Sequence, residues 1–333
     1  MAIKIAFYDT KPYDRVWFDE YNKEYGFEIT YFEHKLNNAT ARTSSGFDVV
    51  CTFVNDTLDA EVLQILLDNH IRLIALRCAG FNNVDLKFIC DKIPVVRVPA
   101  YSPNSVAEHA IAMLLTLVRN LQHAYVRTRE FNFSLGNLIG FDLHGKTVGV
   151  IGTGKIGRAF ISICKGFGMK VLAVDGFQDD SLGVEYSDLD TVLRNADVVS
   201  LHCPLTKDSY HMISREKLAM MKSSAILINT SRGALVDSIA LADAIQTKKL
   251  GGAALDVYEE ESNLFYEDNS FSIITDDTLI RLISMPNVLV TSHQAFLTKE
   301  ALQAIAATTL KSVNDYFTDG TVENSVCYKT VKA

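Results

Sequence analysis

Short apolar runs alternate with amphipathic stretches along most of this 333-residue chain. In the first hundred residues the apolar runs are IKIAFYD, FEITYFEH, DVVCTFV, IRLIALRCA and PVVRVPA, and LDAEVLQILLDNH is a clear intervening helix. Apolar runs of this length separated by helices are typical of a parallel sheet that is covered on both faces. The pattern predicts an α/β fold.

The same pattern restarts at Lys146. The apolar runs KTVGVIG and KVLAVD flank the helical stretch KIGRAFISICKGFG, and ADVVSLH, AILINTS, GGAALDV and NVLVTSH follow with helices between them. The two halves together predict two doubly wound parallel-sheet domains.

Two helical stretches connect these halves. SVAEHAIAMLLTLVRNLQHAYVRTREF predicts one long helix with Ser105 as its N-cap, and KEALQAIAATTLKSVNDYFTDG predicts an amphipathic helix that stops at Gly320. No predicted strand of the second half follows this last helix, so we expect it to pack on the first half. The predicted domains are therefore 1–100 plus 299–333, and an inserted domain over 101–298.

Charge and apolar run lengths exclude several classes of partner. The net charge is −8 and the isoelectric point is near 5.5, so there is no basic field for nucleic acid or an anionic membrane surface. The longest nearly unbroken apolar run, AIAMLLTLV, is far shorter than the roughly 20 residues that span a bilayer. The N-terminus lacks the pattern of a signal peptide, and we expect the protein to be cytoplasmic.

Six cysteines are scattered along the chain without any C-x-x-C pair: Cys51, Cys78, Cys90, Cys164, Cys203 and Cys327. This spacing indicates neither a zinc site nor a disulfide framework. We therefore expect reduced thiols, mostly in the core, and no bound metal.

The stretch IGTGKIG has the glycine spacing of a dinucleotide-binding loop. Gly152, Gly154 and Gly157 come directly after a predicted strand and open a predicted helix, which is the context that this motif requires. Asp175 ends the next strand, where a carboxylate can accept hydrogen bonds from the adenosine ribose and repel the extra phosphate of NADP. No arginine follows Asp175 directly. The loop therefore predicts NAD, although Asp175 and Gly176 could also form a simple turn.

Hydride transfer from NAD to a carbonyl group requires a proton donor. His202 and His293 end apolar strands, where the crevice of such a sheet opens, whereas the other six histidines lie on predicted helices or polar turns. Cys203 and Pro204 turn the chain sharply after His202, which suits the wall of a cofactor pocket. His293 is the better candidate for the acid.

A carboxylate beside such a histidine would hold its ring and favour its protonation. The stretch DVYEEE follows another strand and offers Asp256, Glu259, Glu260 and Glu261. Spacing alone does not choose among them, and a solvated acidic loop is an equally simple interpretation.

A carboxylated substrate also needs an anchor. Arg232 follows a strand in INTSRGALVD, and its guanidinium can bind a carboxylate through two parallel hydrogen bonds. In LRCAGFNNVD, Ala79 and Gly80 follow a strand and could offer backbone N–H groups to the same carboxylate. Arg77 is predicted to be structural.

Together these stretches resemble the D-2-hydroxyacid dehydrogenases, and among them most closely the fermentative D-lactate dehydrogenases of bacteria. The similarity also includes VPAYSPNSVAEHAIAMLLTLVRN, SLHCPLT, LDVYEEE with NLFYEDNS, and HQAFLTKEAL, in order along nearly the whole chain. The resemblance implies a flavodoxin-like substrate domain and a Rossmann NAD-binding domain, reversible NADH-dependent reduction of pyruvate to D-lactate, and a homo-oligomer, dimer or tetramer.

The resemblance also implies roles for individual residues. Arg232 would bind the keto-acid carboxylate, His293 would be the acid/base, and Glu261 would pair with it. Tyr101 and Phe296 would line a substrate pocket that favours a methyl group over a long side chain, beside Ala79 and Gly80. The implied cofactor-binding residues are Gly152, Gly154, Lys155, Ile156, Gly157, Asp175, His202, Cys203, Pro204, Thr230, Ser231 and Asp256.

Two alternatives remain open at this point. The same residues could reduce a bulkier acid such as 2-ketoisocaproate, or the fold could serve as an NAD-sensing module like those of transcriptional corepressors. Ser292 and Gln294, which flank His293, depart from the proline and the small or branched residue of many relatives but look similar to the D-lactate branch.

Overall fold

The computed structural model describes residues 2–261 and 264–328. The chain divides into two compact units, Met1–Ser102 with Leu297–Ala333, and Pro103–Phe296. The second unit is thus inserted into the first.

The described residues of the first unit form a five-stranded parallel sheet in the order β2-β1-β3-β4-β5. Its strands are β1 Lys4–Phe7, β2 Glu28–Tyr31, β3 Val49–Thr52, β4 Leu73–Leu76 and β5 Val95–Val96. The helices of this unit are α1 Pro12–Asn22, α2 Ala60–Asp68, α3 Leu86–Ile89 and α11 Lys299–Asp319. The predicted α/β class is confirmed here.

The second unit contains a seven-stranded parallel sheet in the order β12-β11-β10-β9-β6-β7-β8, again within the described residues. Its strands are β6 Thr147–Ile151, β7 Lys170–Val174, β8 Glu185–Tyr186, β9 Val198–Leu201, β10 Ile226–Asn229, β11 Gly252–Leu255 and β12 Val288–Val290. Its helices are α4 Pro103–Val118, α5 Leu121–Arg129, α6 Lys155–Gly166, α7 Leu189–Asn195, α8 Arg215–Met220, α9 Ser238–Gln246 and α10 Asp277–Ser284. The strand order reverses between β6 and β9, and dinucleotides bind at such a switch point.

Alternate residues of these strands enter two separate apolar layers, one on each face of the second sheet. Val198 packs in the layer that contains α4 and α6, whereas its neighbour Val199 packs in the layer that contains α7 and α9. Both layers are buried, so most positions of the central strands are apolar. This explains the unbroken apolar runs in the sequence.

The predicted long helix from Ser105 is wrong in two respects. It begins at Pro103, whose fixed φ suits the first helical position, so Ser105 is buried inside the helix rather than capping it. It also ends at Val118, because Asn120 adopts a left-handed φ of 50° before α5 begins. Asparagine tolerates this conformation better than most residues. α5 buries none of its residues.

The last helix, α11, ends as predicted. Gly320 has a φ of 79°, and its N–H donates to the Tyr316 carbonyl, so the helix stops at the expected glycine. α11 packs against α1 and β4 within the first unit. Across the described ranges, no helix is both long and apolar enough to cross a membrane.

The expectation of six reduced thiols is wrong for one pair. Cys90 and Cys327 form a disulfide, although 237 residues separate them in sequence. The C-terminal segment returns to the edge of the first sheet, where the Val326 N–H donates to the Val95 carbonyl at 2.8 Å and brings Cys327 beside Cys90. The other four cysteines lie outside this disulfide, and all but Cys203 are buried.

This disulfide should stabilise the first unit, because a bond across a long loop restricts the unfolded chain and typically contributes about 2–4 kcal/mol. We expect a reductant to lower the midpoint of thermal unfolding of the protein as purified under air. The Cys327→Ser variant should have the lower midpoint from the start and should not respond to the reductant. Equal responses of the two proteins would contradict a stabilising role for the bond.

Candidate active site

The glycine-rich loop follows β6 and leads into α6. Gly152 has a φ of 97°, and a Cβ there would lie 2.5 Å from the His202 carbonyl oxygen, so the position admits only glycine. A Cβ on Gly157 would lie 2.0 Å from the Gly152 carbonyl oxygen, whereas a Cβ on Gly154 would meet nothing within 4 Å. The space beside Gly154 therefore fits a pyrophosphate, next to the first helical amides at Lys155 and Ile156.

Asp175 follows β7 and is bound to this loop. Its Oδ2 accepts hydrogen bonds from the Thr153 N–H at 2.6 Å and the Thr153 hydroxyl at 3.0 Å, and its Oδ1 accepts one from the Phe177 N–H. Burial alone would raise the pKa of Asp175, but these hydrogen bonds hold it below its ordinary value. The ionised carboxylate suits the ribose hydroxyls of NAD and would repel a 2′-phosphate.

His202 follows β9 and packs under the glycine loop. Its ring lies 4.8 Å from that of Phe160, and its Nε2 lies 2.9 Å from the Ser200 hydroxyl. Burial lowers the pKa of His202 to about 3, so the ring is neutral at physiological pH. Beyond it, Cys203 is half-buried and Pro204 is exposed.

The ends of β9 and β10 also carry polar atoms that a cofactor could satisfy. Within the described part of the chain, His202 Nδ1 and Thr230 Oγ1 are buried and have no hydrogen-bond partner. The neighbouring Ser231 hydroxyl instead donates to the Leu201 carbonyl. Buried polar atoms are normally paired, so these two atoms would suit hydrogen bonds to a cofactor.

The structure brings His293 and Glu261 together. His293 Nδ1 lies 2.7 Å from Glu261 Oε1, and Glu261 Oε2 accepts the Tyr258 N–H at 2.8 Å. The other two glutamates of the acidic loop are elsewhere, since Glu259 pairs with His211 at 2.7 Å and Glu260 is exposed. The structure therefore distinguishes the three glutamates, which sequence spacing alone could not do.

Asp256 is fully buried and fixes the backbone around His293. Its main-chain oxygen accepts the His293 N–H at 2.7 Å, while its carboxylate accepts the N–H groups of Gln294 and Ala295, each at 2.9 Å. These bonds hold His293 at a φ of 51°, a left-handed conformation that is strained for a histidine. Phe296, the predicted pocket residue, is buried three positions further on.

His109 is a site residue that sequence reasoning missed. From α4, its Nε2 lies 3.2 Å from Asp256 Oδ1 and 3.2 Å from the Thr291 hydroxyl, which itself donates to Asp256 at 2.6 Å. Burial raises the pKa of a carboxyl, yet the bonds from His109 and Thr291 hold that of Asp256 below its usual value. Nothing in the helical pattern around His109 marked it as a partner of the acidic loop.

Arg232 follows β10 on a turn that lies against the acidic loop. A Cβ on the next residue, Gly233, would lie 2.1 Å from the Tyr258 carbonyl carbon, so glycine allows the two backbones to touch. The Arg232 carbonyl accepts from the Asn229 side chain, and its Nη1 donates to the Ser231 carbonyl. The guanidinium keeps further donors for a carboxylate.

The predicted site residues of the first unit lie at the ends of its strands. Ala79 and Gly80 follow β4 and are half-buried, and Arg97 Nη1 donates to the Ala79 carbonyl at 2.7 Å. Tyr101 is half-buried at the end of the first part of this unit. Arg77 is fully buried and donates to the Asp9 carbonyl, which supports its structural interpretation.

The described residues include a cluster of metal-ligating side chain types, Cys90, Asp91 and Cys327, whose ligand atoms lie within 4.8 Å of one another. The two sulfurs are bonded to each other. They therefore offer no thiolate to an ion in this state.

Comparison with known proteins places the chain among dehydrogenases. The model of the family described as D-isomer specific 2-hydroxyacid dehydrogenase, NAD binding domain, matches residues 111–295. The chain is 50% identical over 317 residues to the D-lactate dehydrogenase of Escherichia coli K12, which covers 94% of the chain and 96% of the relative.

Solved structures agree with this. The structure of D-lactate dehydrogenase from Aquifex aeolicus complexed with NAD and lactic acid superposes with a TM-score of 0.87 at 34% identity, covering 97% of this chain and 98% of that one. The structure of D-2-hydroxyisocaproate dehydrogenase has a TM-score of 0.84 at 30% identity, covering 97% and 99%.

The neutral state of His202 predicts a specific dependence of stability on pH. Its folded pKa of about 3 lies below the ordinary value of 6.5, so the folded protein binds fewer protons than the unfolded chain between these values. The contribution of His202 to stability is therefore complete above pH 6.5 and decreases as the pH falls toward 3.

Urea unfolding of the wild type and of His202→Asn at a series of pH values measures this effect. We expect the difference in unfolding free energy between the two proteins to be largest above neutral pH and to shrink in acid. A difference that does not change with pH would show that His202 is not buried in its neutral form.

Proposed function

Because the chain belongs to the family of D-isomer specific 2-hydroxyacid dehydrogenases, we propose that it catalyses the reversible NADH-dependent reduction of pyruvate to D-lactate. Membership in this family makes it an NAD-dependent enzyme, and the family and cofactor predicted from the sequence are thereby confirmed. The substrate, the product and the roles of individual residues are the content of the proposal.

The observation that carries the proposal is the 2.7 Å pair of His293 and Glu261. These residues follow β12 and β11, which belong to the same parallel sheet as β6, the strand that leads into the glycine loop. A histidine held by a carboxylate can donate a proton to a carbonyl oxygen and recover it in the reverse direction. The Arg232 turn, in contact with the same acidic loop, offers a cation for the substrate carboxylate.

In the proposed reaction, bound NADH supplies a hydride to C2 of pyruvate. Protonated His293 donates its Nε2 proton to the carbonyl oxygen, and Glu261 fixes the ring through Nδ1. Arg232 binds the substrate carboxylate and polarises the carbonyl group. In the reverse direction neutral His293 accepts the hydroxyl proton of D-lactate.

A small substrate is favoured over a bulky one by two lines of support. Phe296 is buried close to His293 in the sequence, and a ring at this position would limit the size of the substrate side chain. The chain is also more similar to the E. coli D-lactate dehydrogenase than to the D-2-hydroxyisocaproate enzyme, at 50% against 30% identity. Substrate contacts of Ala79, Gly80 and Tyr101 stay predictions from the resemblance.

The decisive assay follows NADH absorbance after addition of pyruvate, with 2-ketoisocaproate and NADPH as parallel tests and chiral analysis of the product. We expect fast NADH oxidation with pyruvate, slower oxidation with the bulkier acid, and D-lactate as the product. Preference for 2-ketoisocaproate would assign the enzyme to the bulkier acid. Tight NADH binding without turnover of either acid would favour a sensing module.

His293→Gln tests the proton donor, because glutamine keeps hydrogen-bonding capacity but cannot transfer a proton at neutral pH. General acid catalysis contributes about 10²–10⁴-fold, so kcat should fall by roughly that factor while NADH still binds. NADH fluorescence titration of the same variant separates binding from turnover. Wild-type kcat in this variant would remove His293 from the acid role.

We also propose that the protein is a homo-oligomer, a dimer or a tetramer. The segment 121–139 of the second unit exposes large apolar side chains, and Phe131, Phe133, Leu135 and Ile139 are each more than 70% exposed. Apolar side chains clustered in this way indicate an association surface.

Light scattering should give a mass of at least two chains. Phe133→Ser should shift the protein toward the monomer, whereas Phe271→Ser, at a fully exposed position on another loop, should not. A monomeric wild type would refute self-association.

The cytoplasmic location stays a prediction.

A further inference from the structure

The loop after β7 contains a second acidic residue whose position bears on the choice between NAD and NADP. Asp179 lies four positions beyond Asp175 and is half-buried. Its Oδ2 lies 2.6 Å from Arg158 Nη1. Arg158 lies in the first turn of α6, directly after the last glycine of the cofactor loop.

Hydrogen bonds through Thr153 link Arg158 to Asp175, the predicted ribose-binding residue. Arg158 Nε donates to the Thr153 carbonyl at 3.0 Å, and the N–H of the same Thr153 donates to Asp175. In NADP-binding enzymes of this architecture, an arginine near the ribose accommodates the 2′-phosphate. Arg158 and Asp175 are thus both hydrogen-bonded to Thr153, so a suitable cation lies near the acid that selects NAD. No arginine follows Asp175 directly in the sequence.

The cation is held in a closed ring of interactions. The Tyr186 hydroxyl donates to the Thr153 hydroxyl at 3.1 Å and accepts the Asp179 N–H at 3.2 Å. The ring thus contains four residues, Thr153, Arg158, Asp179 and Tyr186, and Asp175 is joined to it through Thr153. Asp179 neutralises Arg158 and fixes the direction of its guanidinium.

We infer that Asp179 is a second specificity-determining residue, which withholds Arg158 from the 2′-phosphate of NADP. This inference rests on the proposed NAD site. Asp175 repels the phosphate directly, and Asp179 occupies the cation that would otherwise attract it. Because the Arg158 and Asp179 side chains are 41% and 24% exposed, the ion pair can be broken without opening the core.

Asparagine substitutions test this with little change in shape, because the amide oxygen can still accept the local backbone bonds. The variants are Asp175→Asn, Asp179→Asn, the double variant, and the double variant with Arg158→Gln. Asp180→Asn is the matched control, since Asp180 is an exposed neighbour outside the ring. Thermal melts verify that each full-length variant is folded.

The readout is binding rather than turnover. Fluorescence titrations give Kd for NADH and NADPH, and calorimetry compares ADP with adenosine 2′,5′-bisphosphate, which carries the decisive phosphate. We expect each single variant to improve NADPH binding modestly. The double variant should exceed the product of the single effects by about tenfold, because a released Arg158 can then pair with the phosphate.

Two results would support the inference together: this excess in the double variant, and its loss when Arg158→Gln is added. Asp180→Asn should leave the ratio of the two Kd values unchanged. Additive effects, or an excess that survives Arg158→Gln, would overturn the role of Asp179. A wild type that binds neither NADH nor ADP would instead overturn the proposed NAD site itself, so the two failures are distinguishable.

Discussion

The buried carboxylate of Asp256 is the constraint on which the candidate site depends. A charge without solvent is costly unless it is fully hydrogen-bonded, and the chain must supply those donors. The amides of Gln294 and Ala295 satisfy part of the requirement only because the backbone wraps around the carboxylate after β12. That turn is what places His293 in a left-handed conformation and directs its ring to Glu261. The strain at His293 is thus maintained by the need to solvate a buried charge.

Much of the fold could be predicted because the central strands are buried on both faces, which leaves nearly unbroken apolar runs in the sequence. Two features were not predictable from such local patterns. The break at Asn120 lies within a stretch of good helix-forming residues, and it depends on the backbone conformation of a single residue. The Cys90–Cys327 bond depends on where the chain ends return in space, and separation in sequence carries no sign of this.

Part of the candidate site could also be predicted from the sequence. Strand ends identify His293, Arg232 and the glycine loop, because parallel strands direct their carboxyl ends to one edge. Sequence spacing could not choose Glu261 over Glu259, and the choice required a family resemblance or the structure. In the structure Glu261 pairs with His293, whereas Glu259 pairs with His211. His109 could not be found, because it acts across the fold from a helix whose periodicity explains it as an ordinary buried face.

The two histidines that follow apolar strands, His202 and His293, show that position at a strand end does not by itself determine the properties of a side chain. His202 packs beside an aromatic ring and a serine hydroxyl, and burial lowers its pKa to about 3, so its ring is neutral. His293 has the Glu261 carboxylate 2.7 Å from its Nδ1, which fixes the orientation of its ring. Both residues follow the carboxyl ends of strands of the same parallel sheet, β9 and β12. Their different surroundings therefore arise from the side chains that adjoining segments bring to each ring, and a loop change that moved Glu261 would alter the environment of His293 without altering the fold.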